Sequence, residues 1–152
     1  MAKFIYKMQN ILNIKMRLET QAKTEFAEAV SKLEQEKEKM RQIIARKRRY
    51  EDDIKAMAAK RLNVDELRRS NESVNAMQEL MKQQAVVVRI AERNLEHARQ
   101  KLNESMQDRK IHEKLREKAF DEFKLELNDE EKKEIDELVS FSYNNNGSGE
   151  QE

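Results

Sequence analysis

The chain has 152 residues, of which 40% are charged and 38% hydrophobic, and this balance excludes a thick globular core. Its formal net charge of +1 gives no whole-molecule field toward nucleic acid or an anionic membrane. With no cysteine, a disulfide framework and a thiolate metal site are excluded, and a reducing compartment fits.

The N-terminal residues carry lysines and asparagines within every apolar stretch, for example Lys3, Lys7 and Asn10. This interruption predicts neither a secretory signal nor a membrane-spanning helix. We therefore expect a cytoplasmic chain. There is no proline, and the two glycines are Gly147 and Gly149, so helix is favoured throughout the preceding residues.

Apolar residues recur every three or four positions, which is the spacing of a coiled-coil seam. The first series is Phe4, Met8, Ile11, Lys15, Leu18, Ala22, Phe26, Ala29, Leu33, Glu36, Met40, Ile43, Lys47, Tyr50, Ile54 and Met57. Its steps of three, four and four after Lys15 predict a local relaxation of the left-handed supercoil. The second series is Val74, Met77, Met81, Gln84, Val88, Ala91, Leu95, Ala98, Leu102 and Ser105, and a blurred continuation passes through Arg109, His112, Arg116, Ala119 and Phe123.

Capping residues mark a turn between the two series. Asn63 can cap a helix start, and Glu66 can return a hydrogen bond to the Asn63 backbone. A turn there makes facing residue numbers sum to 127 or 128, as for Phe4 with Phe123 and Tyr50 with Met77. Because any two heptad series can be slid into some register, the position of the cap is the informative part.

We therefore predict an all-α fold, a long antiparallel two-helix coiled-coil hairpin over residues 1–140. Helix 1 is expected at about 3–62, the turn near 63 and helix 2 at about 64–139. Each arm would extend about 90 Å at about 1.5 Å per residue. The polar tail 141–152 follows an acidic cluster from Glu126 to Glu137, and we expect it to be disordered.

Residues for catalysis or cofactor binding are not indicated. The absence of glycine before Gly147 excludes a phosphate-cradling loop, and His97 and His112 would lie about 22 Å apart on one helix, too far to share a metal. Because a two-helix hairpin also offers no pocket to tune carboxylates, we expect no enzymatic activity, metal or cofactor. The basic run Arg46 to Arg49 encircles a helix and does not line one face, so nucleic acid is not the expected partner.

Two stretches carry more apolar surface than one facing helix covers. Met77, Leu80 and Met81 suggest a docking patch near the hairpin tip. The run Val86 to Ile90 either meets a third element or consists of tolerated exposed residues.

The N-terminal string from Lys3 to Leu12, followed by Lys15, Glu19, Ala22 and Ala29, resembles the flagellar FliJ-type export proteins over about residues 1–140. The resemblance implies a component of the bacterial type III export apparatus, similar to the gamma-subunit stalk of rotary ATPases. Its paired ends would enter the hexameric export ATPase ring, its tip would contact the membrane-embedded export gate, and it would engage export chaperones. It also implies peripheral association with the inner-membrane basal body.

The same resemblance implies two sets of contact residues. The ATPase-ring contacts would be Phe4, Tyr6, Met8, Ile11, Leu12, Phe120, Phe123 and Leu127. The export-gate contacts would be Ile43, Tyr50, Met77, Leu80 and Gln84. Tyr50 and Met77 also belong to the predicted seam, where packing alone explains them.

Two alternatives remain at this point. In a parallel homodimeric scaffold, Asn63 would not be a turn and one helix would continue for about 200 Å; the stalk hypothesis instead predicts a monomer in isolation. In a nucleic-acid binder, the basic run from Arg46 to Arg49 would give an affinity that falls steeply with salt.

Overall fold

The computed structural model describes residues 2–61 and 63–147, without the side chains of residues 146 and 147. It contains two helices, α1 from Gln9 to Ala58 and α2 from Val64 to Gly147, and no strand among the described residues. The helices pack against each other in antiparallel fashion, which confirms the predicted two-helix hairpin and excludes one continuous helix.

The start of α1 differs from the prediction, because the helix begins at Gln9 and not near residue 3. The backbone N–H of Gln9 donates to the Tyr6 carbonyl at 3.2 Å, which closes the turn before the helix. The preceding run of aromatic and β-branched residues, Phe4 to Tyr6, has weak helix propensity. Phe4 instead packs its ring against α2.

The end of α2 also differs, because the helix continues to Gly147 and not to about residue 139. No proline or glycine interrupts it before Gly147, and the Ser142 hydroxyl donates to the Val139 carbonyl at 3.1 Å within the helix. The first part of the expected tail, 141–147, is therefore helical. The remainder of that tail, 148–152, lies outside the described residues, as does residue 62 at the expected end of helix 1.

Asn63 forms the N-cap of α2. Its Oδ1 accepts a hydrogen bond from the Asp65 backbone N–H at 3.1 Å, and its carbonyl accepts the first helical bond, from the Leu67 N–H, at 3.0 Å. Asp65 and Glu66 place negative charge in the first turn, where the helix dipole favours it. The return bond from Glu66 stays a prediction.

Replacing Asn63 by Ala is expected to reduce the free energy of unfolding by about 1 kcal/mol, because the Asp65 N–H loses its acceptor. Urea denaturation followed by circular dichroism measures this loss, and amide exchange at Asp65 is expected to accelerate. The control is Asn63→Asp, which keeps an oxygen at the same position. Equal stability of the Ala and Asp variants would contradict a capping role.

The chain forms two compact units. One runs from Glu19 to Ser105, and the other consists of the described residues up to Leu18 together with those from Met106. Within the Glu19–Ser105 unit, every residue of the predicted series from Ala22 to Met57 and from Val74 to Ser105 is buried or half-buried. The heptad prediction is therefore confirmed for this unit.

Toward the N terminus the seam follows different residues from those predicted. Leu12 is 2% exposed and Glu19 5% exposed, whereas the predicted seam residues Met8, Ile11 and Leu18 are exposed. The seam thus passes through Leu12, Lys15, Glu19 and Ala22 in steps of three, four and three, and the predicted relaxation of the supercoil is wrong. The sequence series favoured apolar Leu18 over charged Glu19, but Glu19 is tolerated in the seam because Lys23 lies 3.4 Å from its carboxylate.

The predicted register holds at some contacts and fails at another. Phe4 contacts Phe123 as expected, with ring centroids 5.4 Å apart. Gln84, however, bonds to Glu36, a pair whose numbers sum to 120, one heptad below the expected value. This shift is not shared along the hairpin, because Ser70 Oγ lies 4.0 Å from Met57 Sδ and those two residue numbers sum to the expected 127.

Candidate interaction surfaces

An aromatic cluster lies where the N-terminal segment meets α2. The ring of Phe4 packs edge-on against Phe120, with centroids 5.1 Å apart, and obliquely against Phe123. Lys124 Nζ lies 4.5 Å from the centroid of Phe120, a cation–π geometry. Such contacts stabilise the short segment that precedes α1 and fix its residues on α2.

Concavities lie around this cluster. A groove of about 560 Å³ is lined by Lys3, Phe4, Ile5, Tyr6, Lys7, Ala119, Glu122, Phe123 and Glu126. A smaller one of about 160 Å³, here called the Met8 groove, is lined by Tyr6, Met8, Ile11, His112 and Leu115. In this groove Met8, Ile11 and Leu115 are exposed. Accessible apolar side chains around a concavity are suited to binding an apolar group of another protein.

His112 carries a further feature of the Met8 groove. Its Nδ1 is buried and has no hydrogen-bond partner among the described residues. A buried polar atom without a partner costs free energy. The sequence prediction placed His112 only as a seam continuation, and its half-buried position agrees with that.

The predicted ring contacts come together in this unit, but they differ in accessibility. Met8, Ile11 and Phe120 are exposed, and Phe4, Tyr6, Phe123 and Leu127 are half-buried. Leu12 is buried and therefore supports the surface from beneath.

The predicted gate contacts all lie in the Glu19–Ser105 unit. Leu80 is exposed, whereas Ile43, Tyr50, Met77 and Gln84 are half-buried. Gln84 is engaged in the hydrogen bonds to Glu36 described below. Leu80 is accordingly the most accessible member of this set.

Glu36 is the centre of a polar network inside the seam. Gln84 Nε2 donates to the Glu36 carbonyl at 2.9 Å and to its Oε2 at 2.7 Å. Lys32 and Lys39 approach Glu36 Oε1 at 2.9 Å and 3.2 Å. The hydrogen bond from Gln84, followed by those from the two lysines, lowers the pKa of Glu36 to about 2. Glu36 is 2% exposed, and the donors around its carboxylate make this burial tolerable.

Sequence reasoning assigned Glu36 and Gln84 to the seam but did not pair them. The signal that could have found the pair is chemical: two polar residues at seam positions of opposite helices need each other as partners. A search for such a partner would have found Gln84 one heptad away from the position that the predicted register assigns opposite Glu36. The assumption of one constant sum for the whole hairpin concealed this pair.

A second exposed apolar set lies on α2 at Val86, Val87 and Ile90. The sequence left open whether the run from Val86 to Ile90 meets a third element or consists of tolerated exposed residues. Among the described residues, no third element contacts it. In the basic run, Lys47 is half-buried and its Nζ lies 3.5 Å from the Glu51 carboxylate. The other three residues are exposed: Arg46, Arg48 and Arg49. The run therefore does not form one continuous basic face.

The described residues contain no group of three or more His, Asp or Glu side chains placed to hold a metal ion. Among the described helices, none is both long and apolar enough to cross a bilayer.

Comparison with known proteins gives a match to one family model. The family described as Flagellar FliJ protein matches residues 4–148. No curated protein and no solved structure shows significant similarity to the chain. The family match covers nearly all of the hairpin and confirms the resemblance that the N-terminal string indicates. The chain therefore belongs to the flagellar FliJ protein family, and it is associated with flagellar protein export.

Proposed function

We propose that the chain is the cytoplasmic stalk of the flagellar type III export apparatus, entering the export ATPase ring and stimulating ATP hydrolysis. The observation that carries this proposal is the family match over residues 4–148. The exposed apolar side chains around the Met8 groove support it, since they provide a surface for another protein.

The ring contact is proposed to centre on the Met8 groove and its aromatic neighbours. Met8 and Ile11 are exposed, whereas Phe4 and Phe123 contact each other and maintain the shape of this end. A few apolar side chains that fit pockets on the partner can supply most of the binding energy. The same side chains could meet successive subunits of a ring, because apolar contacts impose little directional constraint.

The second proposed contact is with the cytoplasmic side of the export gate, through Leu80 and its half-buried neighbours Ile43, Tyr50, Met77 and Gln84. Export chaperones are proposed as further partners, and peripheral association with the inner-membrane basal body follows from the gate contact. A chain that touches both ring and gate would couple ATP hydrolysis to substrate entry.

The test measures ATP hydrolysis by the cognate flagellar export ATPase with and without an equimolar amount of the chain. We expect the chain to raise the rate. The double variant Met8→Ser/Ile11→Ser is expected to weaken ring binding by about tenfold or more, because two exposed apolar contacts of about 1 kcal/mol each are lost.

The matched control is Val86→Ser/Ile90→Ser, which removes two exposed apolar side chains from the other unit. It is expected to stimulate the ATPase like the unaltered chain. Unchanged hydrolysis with folded chain and assembled ring would overturn the stalk proposal. If the Met8→Ser/Ile11→Ser variant still stimulated the ATPase fully, the ring contact would have to lie outside the Met8 groove.

A further inference from the structure

The C-terminal part of α2 extends past the residues that pack against it. The 560 Å³ groove brings the N-terminal segment alongside α2 as far as Glu126, and Leu127 is the last half-buried residue among the described side chains. Every described side chain from residue 128 to 145 is exposed. This stretch of helix thus has no helix packed on it within the described chain.

Apolar residues nevertheless continue along this stretch of helix. Leu138 and Phe141 are 68% and 69% exposed, and Ile135 and Val139 are exposed to a similar degree. These four residues are here called the C-terminal face. Leu138, Val139 and Phe141 follow Ile135 by three, four and six positions, so all four side chains project within one broad arc of the helix. Leu138 and Phe141 lie 11 and 14 positions after the seam residue Leu127, which fits alternating steps of four and three, and the two seam positions between them and Leu127 are occupied by Glu131 and Glu134.

Acidic residues surround the C-terminal face. An open groove of about 450 Å³ is lined by Leu138 and Phe141 together with Glu134 and Glu137. Over residues 126–137 there are seven Asp or Glu against two Lys, a local net charge of −5. This field repels anionic lipid headgroups and attracts cationic segments.

We propose that the C-terminal face binds a basic amphipathic helix of a partner protein. Apolar residues of that helix, spaced by three or four, would cover Leu138 and Phe141, and its flanking Lys or Arg side chains would pair with Glu134 and Glu137. The bound helix would continue the two-helix packing beyond Leu127. The proposal uses residues separate from the Met8 groove and does not depend on the ATPase-ring contact.

The main competing occupant is a second copy of this chain. Val86 and Ile90 are exposed, and Arg89 and Arg93 lie beside them on α2, so this surface is itself basic and apolar. An external helix is the favoured occupant because it can place apolar residues along the nearly two turns from Ile135 to Phe141, whereas the exposed apolar residues of this second surface, Val86, Val87 and Ile90, span little more than one helical turn.

The probe is a fluorescently labelled peptide of about 18 residues, five helical turns, with Leu at heptad positions and Lys elsewhere. Comparison peptides replace Lys by Glu, or scramble the Leu positions. Anisotropy titration of the full chain at physiological salt is expected to show binding of the Leu/Lys peptide and at least tenfold weaker binding of the other two.

Two double variants localise the binding. Leu138→Ser/Phe141→Ser is expected to weaken binding of the Leu/Lys peptide at least tenfold. Ile111→Ser/Leu125→Ser removes two other exposed apolar residues of the same helix and is expected to leave it unchanged. All four side chains are exposed, so helicity measured by circular dichroism should be equal in both variants.

Several outcomes would overturn the proposal. If the scrambled peptide bound as tightly as the Leu/Lys peptide, charge alone would explain the binding. If the Leu138→Ser/Phe141→Ser variant bound the Leu/Lys peptide as tightly as the unaltered chain, the peptide would bind somewhere other than the C-terminal face. Sedimentation showing self-association that this variant abolishes would identify a second copy as the occupant. Co-sedimentation with anionic phosphatidylglycerol vesicles that the same variant abolishes would identify a lipid surface.

Discussion

Replacing Leu33 by Ala is expected to lower the free energy of unfolding by about 2–3 kcal/mol. Leu33 is 8% exposed in the seam of the Glu19–Ser105 unit, and truncation removes apolar burial and leaves a cavity. The estimate lies at the low end of Leu→Ala costs because a two-helix seam can collapse partly onto the gap. Urea denaturation followed at 222 nm measures the change.

The matched control for Leu33 is Val30→Ala, on the same helix and in the same unit. Val30 is 43% exposed, so its truncation is expected to change the free energy of unfolding by no more than about 0.5 kcal/mol. Similar losses in the two variants would mean that Leu33 does not lie in the seam.

Acid is expected to remove the stabilisation that Glu36 supplies. Its pKa of about 2 lies below the ordinary value of 4.5 because Gln84, then Lys32 and Lys39, donate to the charged form. A lowered folded-state pKa stabilises the fold above the ordinary value, and the contribution is lost as pH falls from about 4.5 toward 2. The Glu36→Gln variant lacks this charge, so its melting temperature should lie several degrees below that of the unaltered chain at neutral pH.

The decisive measurement is the melting temperature of both proteins at pH values from 7 to 2. The difference between them is expected to shrink below pH 4.5. Glu25, whose pKa is lowered chiefly by a hydrogen bond from Lys101, titrates in both proteins and cancels in the difference. Glu38→Gln, at an exposed ion pair with Arg41, is the control. A pH-independent difference for Glu36→Gln would rule out the linkage.

Heptad spacing predicted the fold and most of the seam, because the alternation of three and four residues depends only on helical geometry. It failed where polar and apolar residues competed for one seam position, as for Glu19 and Leu18. In that choice the continuity of the heptad outweighs side-chain polarity, since Lys23 lies beside the Glu19 carboxylate.

The start of α1 could not be predicted from periodicity. Phe4 fits the heptad series, yet its segment is not helical because the ring gains more by packing on Phe120 and Phe123 than a helix of weak propensity could supply. Periodicity records which side faces the partner and not whether the backbone is helical there.

The candidate surfaces were predicted only in part. Met8 and Ile11 were expected as contacts through the family resemblance, and both prove to be accessible. The C-terminal face was missed because Phe141 was assigned to a disordered tail, while Ile135, Leu138 and Val139 fell at the end of predicted helix 2 and were given no role. Its signal was present in the sequence, since Leu138 and Phe141 continue the heptad steps from Leu127.

The connection capped by Asn63 has a consequence for the order of folding. Contacting pairs are separated along the chain by 13 residues for Met57 and Ser70, by 48 for Glu36 and Gln84, and by 93 for Lys15 and Asp108. Loop-closure entropy makes the shortest of these the easiest to form first, and each closed contact shortens the loop left for the next. We therefore expect contacts near Asn63 to form first and contacts farther along the two helices to form later. Substitutions near the connection should then slow folding, whereas substitutions near Phe4 should mainly speed unfolding.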